Sequence, residues 1–206
     1  MNNLEELLSI SYNDLEIRML QCRTLHLEYN LTPEHRDFFM QQSVLSIYAA
    51  WEGFLKSSLE AYLEKLSRLE LDCHELSDTY LAYQTDQICN FSQPKSKYES
   101  VKDLSVKLHQ MYSDKVIFET RINVRSNANH KNTNSVLNKL ALKLIDKQYE
   151  IKLNKLLRFR NAIAHGENSI PVYQESLDEF TTLVQNLAMQ IMAAIIEGFN
   201  TEVYRK

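Results

Sequence analysis

Glycine and proline are scarce, with three of each in 206 residues. Three of each leave little material for tight turns, and long helices with few breaks fit that poverty. Cysteine is equally sparse. Cys22, Cys73 and Cys89 are odd in number and show no CxxC spacing, so neither a disulfide framework nor a paired-cysteine zinc site is expected. Cys73-His74 is a lone adjacent pair, and no metal is expected there or elsewhere. The opening MNNLEELLSIS has no basic stretch ahead of an apolar run, so no signal peptide is expected. The longest apolar run, near Met189–Ile196, is short for a bilayer. A reducing, cytoplasmic protein with no membrane partner is the expectation. P-loop, GxGxxG and GxSxG patterns are missing, which removes support for ATP hydrolysis and serine-nucleophile chemistry. No strand-like alternation and no internal repeat is found.

Apolar residues make up 44% of the chain, enough for a substantial core. A chain of this size buries roughly 70% of the surface its unfolded form exposes. The net charge of −4 hides an uneven distribution. Residues 1–94 carry 6 Lys and Arg against 15 Asp and Glu; residues 95–160 carry 15 against 6; residues 161–206 carry 2 against 6. The basic middle segment leads into the sequence RFRN, as a phosphate-binding surface would. Solvated helix faces would give the same pattern.

Helical periodicity dominates. Leu4, Leu8, Tyr12, Leu15, Met19, Cys22 and Leu25 form one stripe, with Asn3 and Glu6 as a capping pair. Thr32-Pro33 reads as an N-cap followed by proline in the first helical position. The spacing predicts helices over approximately 3–30, 34–69, 97–112, 135–165 (as 135–145 and again 147–165) and 175–203, with a short one near 78–89. The Asn-rich stretch 123–134 is predicted as a loop. Ser176 and Glu179 form a capping-box pattern for the last helix. The expected fold is all-α, a single domain over 1–206.

The stretch Arg158-Phe-Arg-Asn-Ala-Ile-Ala-His-Gly-Glu167 closes the helix before Gly166, which is placed to end it. On that helix Leu156, Phe159 and Ile163 form a core stripe. Asn154, Arg158, Asn161 and His165 form a second one. Arg160 lies about 140° from His165 on an ideal helix, so it joins them only by wrapping round. Histidine titrates near neutrality and moves protons. Arginine offers a planar fork to phosphate. Asparagine orients either. RNA carries its own nucleophile, the 2′-OH. A histidine that takes its proton and an arginine that holds the phosphate would cleave RNA without a metal, leaving a 2′,3′-cyclic phosphate. The leaving oxygen needs a second acid, which a second copy across a two-fold axis would supply, so a homodimer is expected. A helix C-terminus favours Arg and His without any function, so spacing alone leaves both readings open.

The full string Arg160-Asn161-Ala-Ile-Ala-His165 resembles the R-x(4–6)-H signature of the HEPN superfamily. A second stretch, Ser46-Ile-Tyr48-Ala-Ala-Trp51-Glu52-Gly-Phe54-Leu-Lys56, is similar to the early helix of its RiboL-PSP-HEPN and MAE_28990/MAE_18760-like branches. Ser126-Asn127 and Val136-Leu137 resemble the segment those branches place before the motif helix. The resemblance implies an all-helical, usually dimeric, cofactor-free endoribonuclease of toxin–antitoxin or phage-defence systems, acting on tRNA or mRNA and restrained by an antitoxin or regulatory protein. It also implies Arg160 and His165 as the catalytic pair, with Asn161 as their orienting partner. Arg158 is a second candidate for the phosphate, and Glu52 a candidate hydrogen-bond partner for the motif arginine. His130, within the basic segment, is a candidate RNA contact. In relatives silenced by tyrosine modification, a Tyr stands two residues after the His; here Glu167 does, so that device is not expected. The alternative is a HEPN-like module that binds RNA, nucleotide or protein and cuts nothing, or a purely structural helical subunit.

Overall fold

The computed structural model describes residues 4–89, 98–120, 127–166 and 170–206. Helices α1 (Leu4–Glu28), α2 (Pro33–Ser67), α3 (Asp78–Cys89), α4 (Tyr98–Ser113), α5 (His130–Lys139), α6 (Glu150–Ala164) and α7 (Gln174–Asn200) follow in order, with 3-10 turns at Cys73–Glu75 and Lys147–Tyr149. No strand occurs among the described residues. The expected all-α fold is what the chain adopts.

Three long helices make the centre. Helices α1, α2 and α7 pack on one another, and α6 packs mainly on α2. Val44, Ile47, Trp51, Leu55 and Leu59 on α2 and Leu177, Phe180, Val184, Leu187 and Ile191 on α7 are fully buried. Each apolar side chain of this size contributes roughly 1.5–3 kcal/mol by burial. Helix α7 is long and apolar enough to cross a membrane by length and composition, although no single apolar run in the sequence is. Here its apolar face is the wall against which α1 and α2 close. Phe159 and Phe180 meet edge to face, with centroids 5.3 Å apart, and fix α6 on α7.

Local signals explain most boundaries. The Thr32 hydroxyl accepts from the His35 N–H at 3.4 Å, and Pro33 opens α2, as expected. The capping box expected at Ser176 and Glu179 does not form. The N-cap is Tyr173, Ser176 lies inside the first turn, and Glu179 pairs with Lys155 of α6. The expected Asn3 cap lies outside the described residues. On α1, the place expected for Leu25 in the buried stripe goes to His26, whose Nε2 donates to Gln174 Oε1 at 2.6 Å.

The two helices expected over 135–145 and 147–165 are both present, but the first stops earlier, and a bend over residues 140–146 followed by a 3-10 turn separates them. Helix α5 begins earlier, at His130, because Asn129 caps it and accepts from the Asn132 N–H at 2.8 Å. It ends at Lys139, and the chain turns through Ala141 at φ 48°. Leu140, Leu142 and Ile145 keep the helical reading apolar because these side chains of the bend are buried, while Ala141, Lys143 and Leu144 are exposed. Asn134 closes it, accepting from the Ile145 N–H at 2.9 Å and donating to the Ile145 carbonyl at 3.2 Å. Tyr62 donates to the Tyr80 hydroxyl (2.7 Å), which donates to the Leu140 carbonyl (2.7 Å), so α2 and α3 hold the same bend. His130 Nε2 lies 3.3 Å from both the Asp146 carbonyl and Asn134 Nδ2, a local tie for a residue read as an RNA contact.

Candidate active site at the end of α6

Helix α6 carries both faces that the sequence separates. Leu153, Leu156, Phe159 and Ala162 are buried, and Ile163 is half-buried. The helix stops where expected. His165 is the C-cap, and Gly166 follows at φ 75°, its N–H donating to the Ile163 carbonyl at 3.0 Å. This geometry leaves the His165 side chain exposed beside the carbonyl end of the helix.

The second stripe becomes the wall of an open cleft of about 580 Å³. Asn154, Arg158, Asn161 and His165 line it, with Leu157 and Ala162 at its base and Ile170 from the chain beyond. Asn154, Arg158 and His165 are exposed, and Asn161 is half-buried. An imidazole, a guanidinium and two carboxamides thus share one solvent-open surface. Such a set can bind an anion and transfer a proton beside it.

Arg160 is placed differently. It is half-buried, and its guanidinium carbon sits 4.7 Å above the Tyr48 ring of α2. Its Nη1 donates to Asn161 Oδ1 at 2.8 Å. It therefore touches the cleft only through Asn161 and does not line it. Glu52, the expected partner of the motif arginine, instead forms an ion pair with Lys56 one turn along α2, as i,i+4 neighbours do. Glu167 lies outside the described residues.

Tyr48 and Trp51 do more than fill the core. The Tyr48 hydroxyl accepts from the Ala128 N–H, and Trp51 Nε1 donates to the Ala128 carbonyl, each at 2.8 Å. Ala128 is fully buried, so both of its backbone groups are satisfied by α2 side chains. Burial pushes the Tyr48 phenol up, against a smaller downward pull from the Ala128 N–H; the Glu52 carboxylate raises it further, and Arg160 lowers it. Neutral at physiological pH, it keeps both its acceptor oxygen and its electron-rich face. The spacing of Tyr48 and Trp51, three apart on one helix, was the available signal: two buried aromatics with polar tips need partners. Their shared partner lies 77 residues beyond Trp51, and no local pattern marks it.

Part of the basic surplus of residues 95–160 is paired with acidic residues at the surface. Lys115 pairs with Asp72, Lys139 with Asp86 and Lys155 with Glu179, each bridging to an acidic part of the chain. Lys131, Lys143, Lys147, Lys152 and Arg158 are exposed and have no ion pair among the described residues. Cys73 is buried, and its Sγ donates to the Met111 carbonyl at 3.0 Å, a structural use.

A sequence model of the HEPN_MAE_28990/-like HEPN family matches residues 10–204. The chain belongs to that family. The match takes in both the Tyr48–Trp51 stretch of α2 and the α6 cleft. No curated protein and no solved structure matches the chain. Family membership supports an RNase-like or nucleotide-binding module.

Proposed function

We propose that this HEPN protein is a metal-independent endoribonuclease, cytoplasmic and homodimeric, acting in a toxin–antitoxin or defence setting on tRNA or mRNA. The observation that carries the reading is the convergence of Arg158, Asn161 and His165 on one open cleft at the end of α6. In this scheme His165 takes the proton of a ribose 2′-OH. The 2′-oxygen then bonds to phosphorus as the bond from phosphorus to the 5′-oxygen breaks. The 5′-oxygen leaves with a proton from a second acid, His165 of a second copy. The products are a 2′,3′-cyclic phosphate and a free 5′-hydroxyl. An arginine steadies the charge on the phosphate, and Asn161, hydrogen-bonded to Arg160, orients the site.

The test is incubation of the purified protein with total tRNA and with mRNA in EDTA, beside the His165→Ala variant. Cleavage with cyclic-phosphate ends that disappears in the variant supports the scheme. Equal cleavage by both proteins contradicts it. One observation favours the rival reading, a module that binds without cutting: Arg160 does not line the cleft that holds His165. Under that reading the protein binds RNA tightly, His165→Ala leaves binding intact, and no ends appear.

A further inference from the structure

We infer that the two arginines of this site divide the work: Arg158 holds the phosphate, and Arg160 is a positioning residue that acts through Asn161. The inference rests on the ribonuclease reading for the identity of the ligand, and on geometry for the division. Arg158 is exposed, lines the cleft with His165, and has no hydrogen bond or ion pair among the described residues. Its guanidinium is available to an incoming anion. Arg160 is already engaged. Its cation lies over the Tyr48 ring, and one of its N–H groups is given to Asn161 Oδ1. Tyr48 is itself held by the Ala128 N–H, so the ring beneath Arg160 cannot easily move away.

The arrangement has a chemical consequence. Arg160 donates to the carbonyl oxygen of Asn161, a residue that lines the cleft, so the group Asn161 has left to offer an anion there is its amide N–H₂. A donor there suits the non-bridging oxygens of a phosphate, alongside the Arg158 fork. Without Arg160, the carboxamide can flip and present its oxygen, a group that repels the same anion. Arg160 is half-buried and stacked, and pulling it to the phosphate would forfeit two contacts to make one. Arg158 gives up only solvent.

The first probe is inorganic phosphate, followed by NMR of the arginine Nε–H groups. The expected result is that phosphate shifts the Arg158 and Asn161 side-chain signals and leaves Arg160 in place. Arg158→Ala should weaken phosphate binding tenfold or more, and Arg158→Lys should recover part of it. A shift at Arg160 that survives Arg158→Ala overturns the inference, and so does the absence of any phosphate-induced shift. This readout does not depend on cleavage. Phosphate binding at Arg158 in a protein that leaves RNA whole would reject the ribonuclease reading and keep the division of roles.

The second probe is a 2′-O-methyl RNA oligonucleotide, which binds but lacks the nucleophile. Arg158→Ala should lower the slope of log affinity against log salt by about 0.7, the value of one single-strand phosphate contact. Arg160→Ala should leave that slope unchanged. On cleavable RNA, Arg160→Ala should reduce kcat more than it raises KM. In an Asn161→Ala background it should have little further effect, because the two act as one unit. A salt slope that falls with Arg160→Ala and not with Arg158→Ala would reverse the assignment.

Discussion

At the scale of single residues, the site depends on groups that do not face the cleft. Tyr48 is the clearest case. Tyr48→Phe keeps the aromatic face under Arg160 but leaves the buried Ala128 N–H without its acceptor. The expected loss is about 1–3 kcal/mol of stability, read by urea unfolding. Tyr48→Leu should cost more and should also release Arg160. The His165 position behaves oppositely. Its side chain is exposed, so His165→Ala should leave the melting temperature nearly unchanged while removing cleavage. Much of this was legible beforehand. Asn154, Arg158, Asn161 and His165 share a helical stripe, and the helix is regular enough to deliver it to one cleft. The seat of Arg160 was not legible, because Tyr48 stands 112 positions earlier and stacking leaves no mark on local spacing. The Glu52 expectation failed for a related reason: Lys56, one turn away, is a nearer partner than anything on α6.

At the scale of elements, the decisive feature is the bend between α5 and α6. Apolar residues continue into it, since Leu140, Leu142 and Ile145 are all buried, and the sequence therefore reads as helix as far as Ile145. What breaks it is polar bonding from outside: the Tyr62–Tyr80–Leu140 chain and the two Asn134 bonds to Ile145. Tyr80→Phe should be more damaging than Tyr62→Phe, since it strands both the Leu140 carbonyl and the Tyr62 hydroxyl. A difference of roughly 1 kcal/mol in unfolding free energy is expected between the two variants. Helix α7 meets the same bend at Gly198. A Cβ there would lie 2.4 Å from Leu142 Cδ2, inside the core. Alanine in a helix interior normally gains about 0.5–1 kcal/mol over glycine, but overpacking costs about 1–3 kcal/mol. Gly198→Ala should therefore lower the melting temperature, and a rise would mean that Leu142 rotates away freely.

At the scale of the whole molecule, charge and copy number are the relevant quantities. The sequence concentrates cations in residues 95–160, yet Lys115, Lys139 and Lys155 are tied to acidic partners elsewhere in the fold. The basic surface available to RNA is thus smaller than the composition suggests. Binding to a 2′-O-methyl oligonucleotide should still weaken as salt rises, with a slope set by a few contacts rather than by the full surplus. A mechanism that draws its acid and its base from two copies of His165 makes a further demand. Specific activity should fall as the protein is diluted through its dimer dissociation range, and it should fall in step with the dimer fraction seen by sedimentation. Activity per chain that stays constant through dissociation would assign both proton transfers to one copy.

RNA cut by the cleft at the end of α6, using only its own side chains and the ribose 2′-OH, carries the signature of that chemistry in its ends. The most direct measurement is end-mapping of tRNA and mRNA after incubation in EDTA with the native protein and with His165→Ala. Fragments ending in 2′,3′-cyclic phosphate are expected from the native protein and intact RNA from the variant. Fragments ending in 3′-hydroxyl, or cleavage undiminished in His165→Ala, would contradict that chemistry.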